Sequence, residues 1–248
     1  MSTLFKNEVK AYLPGFSIDC VIFGFEDGHI KVLLNKFHCI DQWMLPGGFV
    51  YVDEDVDQAA KRALKVRTGL ADIFLNQFYL FGNCDRSDGE INKKILEVYE
   101  QKNQDWFLER FVTTAYFALV NISKVKLEKN AIEDTMWVDL KSLPQLHMDH
   151  NSIIMKAIES IRLLINLLPI GKELLHEKFT LPELRMLYEA ILDKDLDRRN
   201  FQRRILALGY IDKLPEKRLG GAHKAPDLYS FNKEKYQENL KNGMNLIW

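Results

Sequence analysis

The chain has 248 residues, 47% hydrophobic and 28% charged, which is enough to bury a full core as one large domain or two modest ones. A formal net charge of −1 hides an asymmetry: residues 176–248 carry 14 Lys and Arg against 11 Asp and Glu, leaving 20 against 24 before them. Cys20, Cys39 and Cys84 stand far apart with no C-x-x-C, which argues against a zinc site or a disulfide framework and for a reducing cytoplasm.

The opening MSTLFKNEVKAYLPGF has charges but no apolar secretory core. Residues 17–25 and 29–37 are two β-branched runs joined at Glu26-Asp27-Gly28, and Asp-Gly between such runs predicts a hairpin. Trp43-Met44-Leu45-Pro46-Gly47-Gly48 leads into a loop. Over 55–66, Val56, Ala59, Ala60, Ala63 and Leu64 recur at spacings of three and four, predicting a helix that Gly69 ends. Asp53, Asp55 and Asp57 lie before it and in its first turn, where the helix dipole favours acids. Runs at 74–82, 111–122 and 135–140 supply further strands, giving a mixed sheet with a helix against it. Between Phe81 and Val112, Ile91, Ile95, Val98 and Tyr99 make a helical stripe inside a connection of unusual length. This insertion, around Asp88 to Arg110, reads as a solvated excursion or as a lid or dimer contact.

Over 151–168, Ile153, Ala157, Ile158, Ile161, Leu164, Ile165 and Leu168 predict an amphipathic connecting helix. Lys156, Glu159 and Arg162 interrupt this greasiest stretch, so no membrane span is expected. Its stripe is expected to pack on a dimer partner or on the first domain, and a charge at Ile161 or Ile165 is expected to leave the C-terminal domain folded but uncoupled. Phe179-Thr180-Leu181-Pro182-Glu183 is a capping box with Pro in the first turn. The helix it opens is followed by a short turn, and Asp197 caps a second helix with Phe201, Ile205 and Leu208 as its buried stripe. Two short helices and a tight turn suggest a helix-turn-helix, and residues 210–214 and 227–231 a β-hairpin wing. From Asp197 to Lys224 there are eight Lys and Arg against three acids, concentrated where a duplex would lie.

Residues 48–70, GFVYVDEDVDQAAKRALKVRTGL, resemble the Nudix box, G-x5-E-x7-R-E-U-x-E-E-x-G-U with U aliphatic. Gly48, Glu54, Arg62, Leu64, Gly69 and Leu70 fall in register, while the other glutamate positions read Ala63, Val66 and Arg67. In that motif carboxylates hold Mg²⁺ or Mn²⁺ against phosphates and help activate water. Val66 offers no oxygen and Arg67 places a cation where the metal should sit. No catalytic residue, metal or cofactor is therefore expected.

LPGGFV with this altered box, the Asp149-His150 pair, and FTLPELRMLYEAILDKDLDRRNFQRRILALGYI together resemble the Nudix-related transcriptional regulators. The resemblance implies an α/β fold, a Nudix-type α/β/α sandwich with mixed sheet, followed by a C-terminal winged helix-turn-helix domain. It divides the chain into a sensing domain at 1–148, a connecting helix at 149–172 and a DNA-binding domain at 173–248. It further implies a homodimer on a palindromic operator of double-stranded DNA, controlling sugar-catabolic or NAD-biosynthetic genes. The small-molecule effector would be a sugar, ADP-ribose or a phosphorylated metabolite.

Candidate DNA contacts are Arg198, Arg199 and Asn200 toward base edges, Gln202 beside them, Arg203 and Arg204 toward phosphates, and Lys217, Arg218, His223 and Lys224 on the wing. Candidate effector contacts are Lys36, Trp43, Asp85 and Arg86. An aromatic face suits a sugar and a basic group suits phosphate, although Trp43 also reads as core and Asp85-Arg86 as a turn salt bridge. Two other classes stay open: a hydrolase with displaced acids drawn from Asp53, Glu54, Asp55, Asp57 and Glu109, and an adaptor that binds no DNA.

Overall fold

A computed structural model describes residues 12–70, 73–98, 105–127, 133–168, 170–218 and 225–242. The chain divides into two compact units, Met1–Gly24 with Lys31–Ala157, and Phe25–Ile30 with Ile158–Trp248.

In the first unit β1 (Tyr12–Glu26), β2 (His29–Phe37), β3 (Gly47–Tyr51), β4 (Phe74–Phe81), β5 (Val112–Leu119) and β6 (Glu133–Asp139) form one sheet in the order β4-β5-β1-β2-β6, with β3 also on β1. β1 pairs parallel with β5, while β1–β3, β2–β6 and β4–β5 are antiparallel, so the sheet is mixed as expected. A strand in the middle of a sheet covered on both faces needs no polar alternation. That is why Cys20-Val21-Ile22-Phe23 in β1 is a continuous buried run. Asp27 and Gly28 both have left-handed backbones, φ 51° and 82°, the turn an Asp-Gly hairpin requires.

Helix α1 (Val56–Thr68) lays Ala59, Ala60, Ala63 and Leu64 on Ile18, Cys20, Ile22, Leu33 and Val50 of the sheet. Gly69, at φ 71°, ends it by donating to the Lys65 carbonyl. The insertion folds: α2 (Gly89–Val98) and a 3-10 turn (Asp105–Leu108) join a second apolar cluster with Phe37, Ile40, Met44 and Phe111. Of the predicted stripe Ile95 is buried and Ile91 half-buried, Val98 is exposed, and Tyr99 lies outside the described residues.

Helix α3 (His150–Leu164) stops four residues before the predicted 168, and in the turn that follows the Leu167 and Leu168 amides both donate to the Leu164 carbonyl. Its Ile153, Ile154, Ala157, Ile158 and Ile161, with Ile165 beyond its end, are buried within the single chain.

The second unit holds α4 (Leu181–Leu192), α5 (Arg198–Ala207), β7 (Ile211–Lys217), β8 (Asp227–Phe231) and α6 (Lys233–Asn242), with β7 and β8 as an antiparallel wing. The capping box forms: Thr180 accepts from the Glu183 amide, and the Glu183 carboxylate accepts from the Thr180 amide at 2.7 Å. Asp197 caps α5 through the Asn200 amide at 2.8 Å. Phe201 and Ile205 are buried, while Leu208 is half-buried at the helix's end.

Candidate functional site

The box loop is latched by one ion pair. Arg62 donates from Nε and Nη2 to the two Glu54 oxygens at 2.8 and 2.7 Å, and Nη2 also reaches the Phe49 carbonyl at 2.7 Å. Both oxygens of the retained glutamate are thereby engaged by a cation. One turn further along α1, Val66 is exposed and Arg67 is buried against Glu133, their side chains 8% and 5% exposed. The Asn35 amide oxygen, turned toward that guanidinium, accepts from Arg67 Nη1 at 2.9 Å. Asp57, the box-helix acid, accepts from the Tyr116 hydroxyl at 2.5 Å, and burial first, then this carboxylate, raises the Tyr116 pKa. Among the described residues no three His, Cys, Asp or Glu come together to hold a metal. A divalent ion takes several carboxylate oxygens, and Glu54 has both of its own on Arg62.

Beside Arg67 opens a cavity of about 100 Å³ walled by β1, β2, β3, α2 and the start of α3. Its aromatic side is Phe37, Phe49, Phe107 and Phe111, and its polar side Asp19, Asn35, Arg67, Arg86, His147 and His150. Gly47 is required there, because a Cβ would stand 2.4 Å from the Ile18 carbonyl oxygen. Arg86 is 3% exposed and fully engaged: Nε and Nη2 reach Asp149 at 3.1 and 3.2 Å, Nη2 reaches Asp19 at 3.3 Å, and Nη1 reaches the Phe111 carbonyl at 3.2 Å. His150 Nδ1 accepts from the Leu45 amide at 2.9 Å, which leaves the proton on Nε2. Burial, and then the neighbouring His150, pull the His147 pKa down to about 4; burial likewise lowers that of His150.

Of the four effector candidates Arg86 alone lines this cavity. Lys36 lies 4.0 Å from Asp41 instead, Trp43 is half-buried with its carbonyl accepting from His147 N, and Asp85 sits in an exposed turn. The turn salt bridge between Asp85 and Arg86 is not formed, because Arg86 turns inward to the buried Asp19 and the half-buried Asp149. Sequence reading missed Asp19, Asn35, Glu133, His147 and the inward role of His150. A signal existed for two of them, since an isolated Asp and Asn within apolar strand runs are polar groups that burial would force into partnership.

In the second unit α5 turns Arg198, Arg199, Gln202 and Arg203 outward, with Asn200 and Arg204 half-exposed. Asn200 accepts from Arg203 Nη2 at 2.9 Å. A groove of about 870 Å³ runs between α5 and the wing, with Arg185, Arg198, Gln202, Lys213 and Lys217 along it. Arg218 is bound to Glu183, the capping-box acid, so it ties the wing to the start of α4. His223 and Lys224 lie outside the described residues. No helix among the described residues is long and apolar enough to cross a membrane.

Residues 14–157 match the NUDIX domain family, and residues 171–231 match the NrtR DNA-binding winged helix domain. Over 234 residues the chain is 27% identical to the ADPR responsive transcriptional repressor NtrR of Acinetobacter baylyi, covering 92% of this chain and 86% of that one. The crystal structure of Shewanella oneidensis NrtR complexed with a 27mer DNA superposes with a TM-score of 0.73 at 25% identity, covering 94% of this chain and 99% of that one. A MutT/nudix family protein from Enterococcus faecalis shares the fold at a TM-score of 0.64 and 22% identity, covering 88% of each chain.

Proposed function

This chain belongs to the NUDIX-domain proteins that carry an NrtR-type winged helix domain, and on that premise we propose that it is an operator-binding transcriptional regulator whose Nudix unit senses ADP-ribose. The observation that carries the reading is the pairing, on one chain, of a closed-off box with an arginine-lined helix. The box face has its glutamate tied to Arg62 and a buried cation at 67, while α5 presents four outward polar side chains of which three are arginines. The first arrangement suits binding without metal-assisted hydrolysis, and the second suits phosphates and guanine edges. ADP-ribose is chosen because the similar repressor of Acinetobacter baylyi is described as responsive to it.

In this reading 1–148 senses, 149–172 connects and 173–248 binds DNA, and two copies occupy a palindromic operator. Arg198, Arg199 and Asn200 approach base edges from the N-terminal end of α5, as recognition helices do. Lys217 supplies a phosphate contact from the wing. Arg218 acts mainly through Glu183, holding the wing in place. The test is operator affinity with and without ADP-ribose, together with product release from ADP-ribose in Mg²⁺. A shift in affinity with intact ADP-ribose fits a sensor; cleavage establishes a hydrolase with displaced acids, and no binding to any duplex leaves an adaptor.

A further inference from the structure

We propose, building on the effector reading above, that the cavity of the first unit takes one uncharged planar heteroaromatic ring, to which His150 donates a hydrogen bond. The phosphates and sugar of the effector then lie outside it. Size sets the first limit. The cavity measures about 100 Å³, on the scale of an engineered void of about 150 Å³ that binds benzene. One planar base fits; a whole nucleotide sugar does not.

Charge sets the second. Both cations among the described lining residues are committed, Arg67 to Glu133 and Arg86 to Asp19 and Asp149. A phosphate pressed into this space would meet the Asp19 carboxylate on the wall and two guanidinium groups already neutralised by their own acids. The walls set the third, because Phe49, Phe107 and Phe111 offer faces and edges that suit an aromatic ring. A sugar would set several of its hydroxyls against these aromatic faces, where they find no partner.

The donor completes the argument. With Nδ1 occupied by the Leu45 amide, His150 holds its proton on Nε2, and that atom has no hydrogen-bond partner although the residue is 3% exposed. Asp19 Oδ1, at 3.7 Å, is beyond hydrogen-bond length. A buried donor left unpaired is costly and uncommon, and an acceptor on a bound ring, a pyridine-type nitrogen or a carbonyl, would satisfy it. Arg86 and Asp149 position this group by fixing the turn from which α3 starts.

The experiment follows the His150 Nε2–H resonance in the full chain labelled with ¹⁵N-histidine, while adenosine, ribose 5-phosphate or pyrophosphate is added. A parallel melting-temperature titration uses ADP-ribose. Adenosine should move the resonance, and the other two should not. His150→Phe should weaken adenosine binding at least tenfold, and His150→Gln, which keeps an N–H donor, should recover part of that loss. A resonance moved by ribose 5-phosphate but not by adenosine overturns the proposal. So does one moved by no probe while ADP-ribose still raises the melting temperature, and that result leaves the effector reading standing. Adenosine binding without any response to ADP-ribose does the reverse: the ring site stands and the effector reading falls.

Discussion

Two buried side chains set the energetics of the cavity wall. Arg86 is surrounded by Asp19, Asp149 and the Phe111 carbonyl, so its removal leaves the buried Asp19 and the half-buried Asp149 without a counter-charge. Breaking such a buried pair costs about 3–5 kcal/mol. Arg86→Met should lower the urea midpoint accordingly, and a loss under about 1 kcal/mol would show that the acids are better solvated than their burial implies. His147 makes a pH prediction. Its folded pKa of about 4 lies below its ordinary 6.5, so between those values the unfolded chain binds the proton and the folded one does not. Stability from this group is complete above pH 6.5, falls as pH drops toward 4, and falls no further below it. At about 1.4 kcal/mol per unit the total is a few kcal/mol. Unfolding midpoints at pH 7, 5.5 and 4 should decline less steeply in His147→Gln than in the wild type, and equal slopes would assign the acid sensitivity to other groups.

At the level of elements, what the sequence made legible was local. The Asp-Gly turn, α1 with its Gly69 stop, and the Thr180–Glu183 box each depend on residues within a few positions of one another, and each appears where its pattern predicts. The cavity was legible only in part. Glu133 reaches Arg67 because β2 and β6 pair with Phe37 opposite Glu133, and no spacing along the chain encodes that register. His150 faces inward because the turn at Met148, φ 49°, aims the first residue of α3 at the cavity. The proposed DNA contacts of α5 and of the wing are expected to divide by task. Arg199→Ala should relax base preference by about 1–3 kcal/mol, whereas Lys217→Ala should weaken all sequences alike. Binding to an operator and to scrambled duplex distinguishes them, and the assignment fails if Arg199→Ala lowers both equally.

For the whole molecule, α3 belongs to both units, its first eight residues to one and the rest to the other. Ile161 and Ile165 are 1% and 0% exposed inside a single chain, so no dimer partner is needed to cover them. The expectation that a charge there would leave the C-terminal domain intact therefore changes: Ile161→Glu buries an unpaired carboxylate and should destabilise the second unit itself. Calorimetry on the full chain should show that loss, and an unaltered transition would restore the original expectation. Operator binding by a dimer that neutralises about eight phosphates should fall with salt at a log–log slope near −7. A slope near −2 would be incompatible with α5 and the wing both meeting the backbone.

The ion pair between Arg67 and Glu133 also bears on descent. Restoring a box glutamate by Arg67→Glu would set a second carboxylate against Glu133 in a site where both side chains are almost wholly enclosed, trading attraction for repulsion before any metal could be held. Removing Glu133 first would strand Arg67 as a buried, uncompensated cation. Either single step passes through a less stable protein, so this pair can be exchanged for an acid-lined helix face only if both positions change together.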